Sequence, residues 1–278
     1  MISVLVLTFN EEADLPACLA SVSWSDDVHV FDSMSTDATV ALATAAGAHV
    51  HRHPFRGYAA QRNAALAACD FRHGWVLVLD ADERLPAAAV ERLLHCVRNA
   101  RPEVGAFRLR RRDHFEGRWL RHAQMSPYYV RLLRKGRVSY HREVNEVARV
   151  QGIVADVGVD FDHHPFSKGI GRWMQRHLRY AAMEADRLVE ERSGRIRFSW
   201  AKAFFSSDFH ERRYHLKGLY YRMPCRPLLK WTYMVIVRRA FLDGMPGMRY
   251  AWLQTVYEAM IDMHVRERRA DRSGNFPV

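Results

Sequence analysis

The first hundred residues alternate apolar strand signals with helix signals, and this alternation limits the available folds more than any other feature. Ile2–Thr8 is a nearly unbroken apolar run. Glu11–Val22 follows, with Leu15, Cys18, Leu19 and Val22 at helical spacing. Asp27–Phe31 reads as a second strand ending at Asp32. Ser35-Thr36-Asp37 then has the composition of a helix start and leads into Ala38–Ala46, closed by Gly47. Ala48–His51 is a third strand, Gly57–Ala68 a helix and Trp75–Leu79 a fourth strand. Pro86–Arg98 is a helix with proline near its first turn. Strands alternating with helices of this length predict an α/β fold, a mostly parallel sheet covered on both faces.

After about residue 104 the pattern changes. Val104–Arg110, Tyr128–Leu133, Gly136–Tyr140, Val144–Val150 and Val157–Phe161 read as strands of a mixed or antiparallel stretch rich in arginine. From Lys168 onward the chain reads as helical, over Lys168–Glu191, Trp200–Tyr221, Leu228–Leu242 and Met248–Arg269. The expected organisation is a first domain over 1–165, in two halves (1–106 and 107–165). A basic helical region over 166–270 and a flexible tail over 271–278 complete it.

Charge divides along the same line. The net charge of +11 is the sum of −5 over residues 1–106 and +16 over residues 107–278. A basic half suits anionic lipid headgroups, phosphorylated substrates or nucleic acid. The cysteines Cys18, Cys69, Cys96 and Cys225 show no paired short spacing, so neither a zinc motif nor a disulfide framework is expected. Reduced thiols in the cytoplasm are the simplest account. Asn10, Glu11 and Glu12 interrupt the first apolar run, which is not read as a signal peptide. No stretch approaches the roughly 18–20 apolar residues of a membrane span, so membrane contact is expected to be peripheral.

Five segments carry the chemistry. Val-Leu-Val-Leu-Asp80-Ala-Asp82-Glu runs a buried strand into two carboxylates, at the edge where open α/β sheets bind ligands. Two acids there can hold a hard divalent cation carrying nucleotide phosphates. Thr8-Phe9-Asn10-Glu11 leaves the first strand with polar groups and backbone amides. Asp32 ends the second strand at the same edge, where a carboxylate can accept from a base N–H or a ribose hydroxyl. Gly57-Tyr-Ala-Ala-Gln-Arg62-Asn63 opens a helix with a guanidinium that can pair with a diphosphate. Asp162-His163-His164-Pro165 ends a later strand, where a histidine could reach a metal or a phosphate.

Taken in chain order, the segments around Thr8, Asp32, Arg62 and Asp80 resemble the inverting family 2 glycosyltransferases with a GT-A fold. The nearest likeness is to the bacterial branch that builds lipopolysaccharide core and other envelope polysaccharides. His164-Pro-Phe-Ser-Lys-Gly and Phe241-Leu-Asp-Gly also look like that branch. The resemblance implies a nucleotide-sugar pocket, for a donor expected to be UDP-linked, containing Thr8, Asn10, Glu11, Asp32, Arg62 and Asp80. It implies that Asp82 holds Mg²⁺ or Mn²⁺ on the diphosphate. The base that takes the acceptor proton falls on Glu146 of His141-Arg-Glu-Val-Asn-Glu146, with Asp113 and Glu143 as alternatives. The expected acceptor is a lipid-linked or other envelope glycan.

The C-terminal helices interleave Phe204, Phe205, Tyr214, Tyr220, Tyr221, Trp231, Tyr233 and Phe241 with arginines and lysines. Such helices can lie on an anionic membrane surface, here the inner face of the cytoplasmic membrane. Two alternatives remain open at this point. One is transfer onto a polyprenyl phosphate. The other is a basic nucleic-acid-binding protein, disfavoured because no recognised motif accompanies the charge; no nucleic-acid partner is expected.

Overall fold

The computed structural model of the protein describes residues 1–141, 147–190, 199–201, 209–221 and 223–273. They form two compact units, Met1–Trp119 with Met125–Ser167, and Leu120–Gln124 with Lys168–Val278.

The first unit is a mixed sheet flanked by helices. In chain order its elements begin with β1 (Ser3–Thr8), α1 (Leu15–Ser21), β2 (Val28–Asp32), α2 (Thr39–Ala45) and β3 (His49–Arg52). α3 (Tyr58–Ala68), β4 (Trp75–Asp80), β5 (Glu83–Arg84) and α4 (Ala87–Arg98) follow. The later strands are β6 (Val104–Phe115), β7 (Arg118–Trp119), β8 (Tyr128–Arg134), β9 (Val138–His141), β10 (Val147–Val150) and β11 (Ile153–His163). The main sheet has the order β3-β2-β1-β4-β8-β6-β11-β5, with β7 on β6, while β9 and β10 pair separately. β3, β2, β1 and β4 are mutually parallel. β8 lies antiparallel between β4 and β6, and β11 runs parallel to β6.

Burial on both faces explains the unbroken apolar runs: Val4, Leu5 and Val6 of β1 and Leu77, Val78 and Leu79 of β4 are all inaccessible. The register pairs Thr8 with Asp32 and Leu7 with Asp80, so the polar residues ending β1, β2 and β4 stand in a row.

β6 continues to Phe115, past the Arg110 end expected from its apolar residues. The reason lies across the ladder, where Arg108, Arg110 and Arg112 stand opposite Asp156, Asp160 and Asp162 of β11. The Arg110 fork closes on Asp160 at 2.7 and 2.9 Å. Arg112 Nε lies 2.7 Å from Asp162. Cross-strand charge pairing keeps a stretch with few apolar residues extended.

The second unit holds α5 (Gly169–Glu190), α6 (Phe209–Tyr220), α7 (Arg226–Thr232) and α8 (Gly244–Ser273). α5 and α8 share a core of Ala181, Ala185, Leu188 and Val189 with Ile261 and Val265. The helix expected over Leu228–Leu242 is broken into α7, a π turn over Tyr233–Val237 and a 3-10 turn over Ala240–Asp243. Arg239 adopts φ 54° at the break. An ideal Cβ on Gly247 would sit 2.2 Å from the Ala240 carbonyl oxygen, so the close approach that follows the break requires glycine. Pro246 lies in the first turn of α8, where proline is tolerated, and the helix therefore starts ahead of the expected Met248. α8 also carries Asp271–Ser273, which the sequence pattern assigned to the tail.

Candidate functional site

The loops after β1 and β2 are laced together. Asn10 takes the left-handed conformation (φ 54°), which asparagine tolerates. Its Oδ1 accepts from the Thr36 N–H at 2.9 Å, and its own N–H donates to Ser35 Oγ at 2.8 Å. The Glu11 N–H donates to Thr39 Oγ1 at 2.7 Å. Asp32 is fully buried and accepts from Thr8 Oγ1 at 3.0 Å, from the Ser35 N–H at 2.8 Å and from Ser35 Oγ. Thr8, Asn10, Glu11 and Asp32 are thus brought together, and much of their polar capacity shapes the loop edge itself. Phe9 and Met34 stand exposed on the same two loops.

A buried charge cluster lies at the end of β4. Arg62, in the second turn of α3, donates to both carboxylate oxygens of Asp80, at 2.8 and 3.1 Å. Arg131 of β8 donates to Asp80 Oδ2 at 3.0 Å and makes a very short contact with Glu83 Oε1. Glu83 Oε2 in turn accepts the Asp80 N–H at 3.0 Å. Arg62, Arg131 and Glu83 are all buried. Burial disfavours charge on Asp80, but the Arg62 and Arg131 guanidiniums overcome it and hold that carboxyl far below the usual carboxylate range. Burial pushes Glu83 up to about 7; Arg131 opposes this and the negative charge of Asp80 adds to it. One acid firmly ionised and its neighbour raised is the pattern of two carboxylates sharing limited positive charge.

Next to this cluster runs a line of three groups. His163 Nε2 lies 3.4 Å from Asp82 Oδ2, and His163 Nδ1 lies 2.5 Å from Asp113 Oδ1. Burial opposes charge on the imidazole, but hydrogen bonds to Asp113 and Asp82 win and raise His163 to about 10. Backbone pairing sets the line. β5 pairs antiparallel with the end of β11, placing Glu83 opposite His163, and the His164 N–H donates to the Asp82 carbonyl at 2.9 Å. The Ala81 N–H donates to the Leu7 carbonyl, tying the same turn to β1.

His163 Nε2 shares its proton with the Asp82 carboxylate 3.4 Å away, and a cation bound by Asp82 would have to displace that proton before the imidazole could serve as a second ligand. A carboxylate behind the other ring nitrogen is the usual support of a metal-binding histidine, and Asp113 occupies that place. The Asp82 carboxylate suits a hard divalent cation of the Mg²⁺ or Mn²⁺ type. Asp113 is buried and also paired with Arg111 Nε at 3.0 Å, an arrangement that orients His163 and does not suit a base open to an acceptor. Glu146 and Glu143 lie outside the described residues. The adjoining register pairs His141 with Val147, and Asn63 holds that strand pair through two 2.8 Å hydrogen bonds with the Tyr140 backbone.

Arg131 and Glu83 escape the sequence pattern. An arginine between Val130 and Leu132-Leu133 is the one available signal, since a cation inside a buried strand needs partners. Glu83 reads as an ordinary acidic turn residue until β5 is seen to pair with β11.

The family described as glycosyl transferase family 2 matches residues 3–151. The chain belongs to that family. It is a glycosyltransferase, and its fold is the GT-A fold with a C-terminal helical region. A lipopolysaccharide core biosynthesis glycosyltransferase, LpsC, of Rhizobium meliloti (strain 1021) is 28% identical over 260 residues, covering 91% of this chain and 89% of that protein. An uncharacterized glycosyltransferase of Rickettsia bellii (strain RML369-C) is 41% identical over 85 residues, covering 30% of this chain and 28% of that protein. Among solved structures, glucosyl-3-phosphoglycerate synthase from Mycobacterium tuberculosis in complex with Mn²⁺ and uridine-diphosphate-glucose is 26% identical with a TM-score of 0.34, covering 41% of this chain and 44% of that one.

Proposed function

We propose that this glycosyltransferase moves a sugar, with inversion, from a UDP-linked donor to a lipopolysaccharide-core or other envelope glycolipid or glycan. The observation that carries the reading is the Asp82–His163–Asp113 line beside the arginine-bound Asp80, at the carboxyl end of β4. Similarity to LpsC over nearly the whole of both chains supports the acceptor class.

In this reading Thr8, Asn10, Glu11 and Asp32 form the wall on which the nucleoside lies. Asp80 fixes Arg62 and Arg131, whose positive charge faces the diphosphate region. Asp82 and His163 hold Mg²⁺ or Mn²⁺, and Asp113 keeps the His163 ring in orientation. When bound, the cation supplies Lewis-acid stabilisation of the charge that grows on the departing nucleoside diphosphate. Glu146 takes the proton of the acceptor hydroxyl as that oxygen bonds to the anomeric carbon and the bond to the diphosphate breaks.

The acceptor is met at a membrane surface. Ile236, Val237, Phe241 and Leu242 are exposed on the short turns between α7 and α8, and Met245 on the first turn of α8, close in sequence to Arg238 and Arg239. Among the described residues no helix is long and apolar enough to cross a membrane. Apolar side chains flanked by cations suit the interface of an anionic leaflet on the cytoplasmic side.

Thermal-shift screening of nucleotide sugars with and without Mn²⁺ tests the catalytic reading. Stabilisation by a UDP compound should require the metal and disappear in Asp82→Ala. Equal stabilisation of the variant would remove Asp82 from the metal. Co-sedimentation with anionic vesicles at low salt, reversed at high salt, tests the membrane reading.

A further inference from the structure

A second cluster of ligating side chains lies at the other end of the parallel strands. His29, near the start of β2, places Nδ1 3.1 Å from Nε2 of His51 on β3. Cys69 caps the C-terminus of α3, and one ligand atom from each of the three residues lies within 4.8 Å of the others. His29 and Cys69 are buried, at 3% and 4% exposure, while His51 is partly open to solvent.

The surroundings are organised. His29 Nε2 lies 3.0 Å from Asp27 Oδ1, so the ring carries its hydrogen on Nε2 and turns the Nδ1 lone pair toward His51. Asp27 is itself held by Ser3 Oγ and by the Arg72 N–H at 2.8 Å. A carboxylate behind a histidine whose free nitrogen faces two further ligand atoms is the standard outer shell of a metal-bound imidazole. The edge of Phe71 covers His29 with ring centroids 4.9 Å apart.

We propose that His29 Nδ1, His51 Nε2 and Cys69 Sγ form a structural site for Zn²⁺. One soft sulfur and two imidazoles make a donor set that favours zinc over the Mg²⁺ or Mn²⁺ suited to Asp82. Tetrahedral zinc with bonds of about 2.0–2.3 Å keeps its ligand atoms about 3.3–3.8 Å apart, so small side-chain rotations close the cluster. On binding, the Cys69 thiol releases its proton to solvent as the S–Zn bond forms. His51 shifts its hydrogen to Nδ1, and water fills the fourth position on the open side. The site ties β2 and β3 to the far end of α3, whose opposite end carries Arg62. Its role is to hold that helix in place, and it takes no part in sugar transfer.

Cobalt titration of the full-length protein tests this. One equivalent of Co²⁺ should give a thiolate-to-metal charge-transfer band and the strong visible bands of four-coordinate cobalt, both removed by one equivalent of Zn²⁺. The spectrum should be unchanged in Asp82→Ala, which separates this site from the catalytic cation. Cys69→Ser should abolish the charge-transfer band. His51→Gln, a change at a partly exposed position, should weaken binding by about tenfold or more while leaving the fold intact by circular dichroism. Folded protein that gives no charge-transfer band, or a band that survives Cys69→Ser, overturns the proposal.

Discussion

Replacing Arg131 by methionine tests how the charge cluster under the site is held together. Arg131 is 5% exposed and serves Asp80 and Glu83 at once, and Glu83 is 1% exposed. Without the guanidinium, Asp80 keeps Arg62, but among the described residues Glu83 retains only the Asp80 N–H. Stranding one member of a buried ion pair costs about 3–5 kcal/mol. The cost belongs to the stranded carboxylate, so Glu83→Gln in the Arg131→Met background should restore most of the loss. The coupling in a double-mutant cycle should be about 2–3 kcal/mol. Glu83 already sits at about 7 with Arg131 beside it, and in the variant it rises further. The folded state then keeps a proton that the unfolded chain releases near its ordinary value of about 4.3. Stability of Arg131→Met therefore falls as pH rises from that value through the folded one, and its deficit is smaller at pH 5 than at pH 8. Urea unfolding of the four proteins at both pH values, with unchanged slopes, measures this. Additive single-mutant losses, or a deficit equal at the two pH values, would refute the reasoning.

Other perturbations have equally definite outcomes. Asn63→Ala removes two hydrogen bonds to the Tyr140 backbone and should cost about 2–3 kcal/mol in chemical denaturation. Gly247→Ala forces a Cβ against the Ala240 carbonyl and should destabilise by about 1–3 kcal/mol or more, whereas Gly171→Ala, with open space around it, should not. His177 stacks on Trp173 with ring centroids 3.5 Å apart, and burial lowers its pKa. The unfolded chain therefore takes up the proton first, and thermal stability should drop as pH falls below about 6.5, less steeply in His177→Gln. Glu146→Gln should lower kcat by about 10²–10⁴-fold with donor KM unchanged, and an unaffected kcat would move the base elsewhere.

Legibility followed the kind of interaction. β1 and β4 could be read because burial on both faces leaves an unbroken apolar signature, as in Val4–Val6 and Leu77–Leu79, whereas the half-exposed β3 was legible only from the alternation of strand and helix signals. The carboxylates at the strand ends could be read for the same reason, since each interrupts such a run. The extension of β6 could not, because Arg108, Arg110 and Arg112 are kept extended by aspartates distant in sequence. Arg131 and Glu83 stayed hidden because pairing across β8 and β5 decides their role. The break after α7 depends on a backbone approach at Gly247 that no side-chain periodicity encodes. The cluster of His29, His51 and Cys69 has no motif spacing, because its ligands come from two strands and a helix end.

Strand β5 is two residues long, yet it fixes how this edge of the sheet can diversify. Its rungs join Glu83 to His163 and Arg84 to Asp162, so Asp82 and the imidazole keep their separation through main-chain bonds. An insertion of one residue between Asp80 and Glu83 would rotate Asp82 away from the ring and disable both at once. Lengthening the loops that join β6, β8, β9 and β11 touches none of those rungs. These loops can therefore be remodelled while the four-residue turn from Asp80 to Glu83 stays the same.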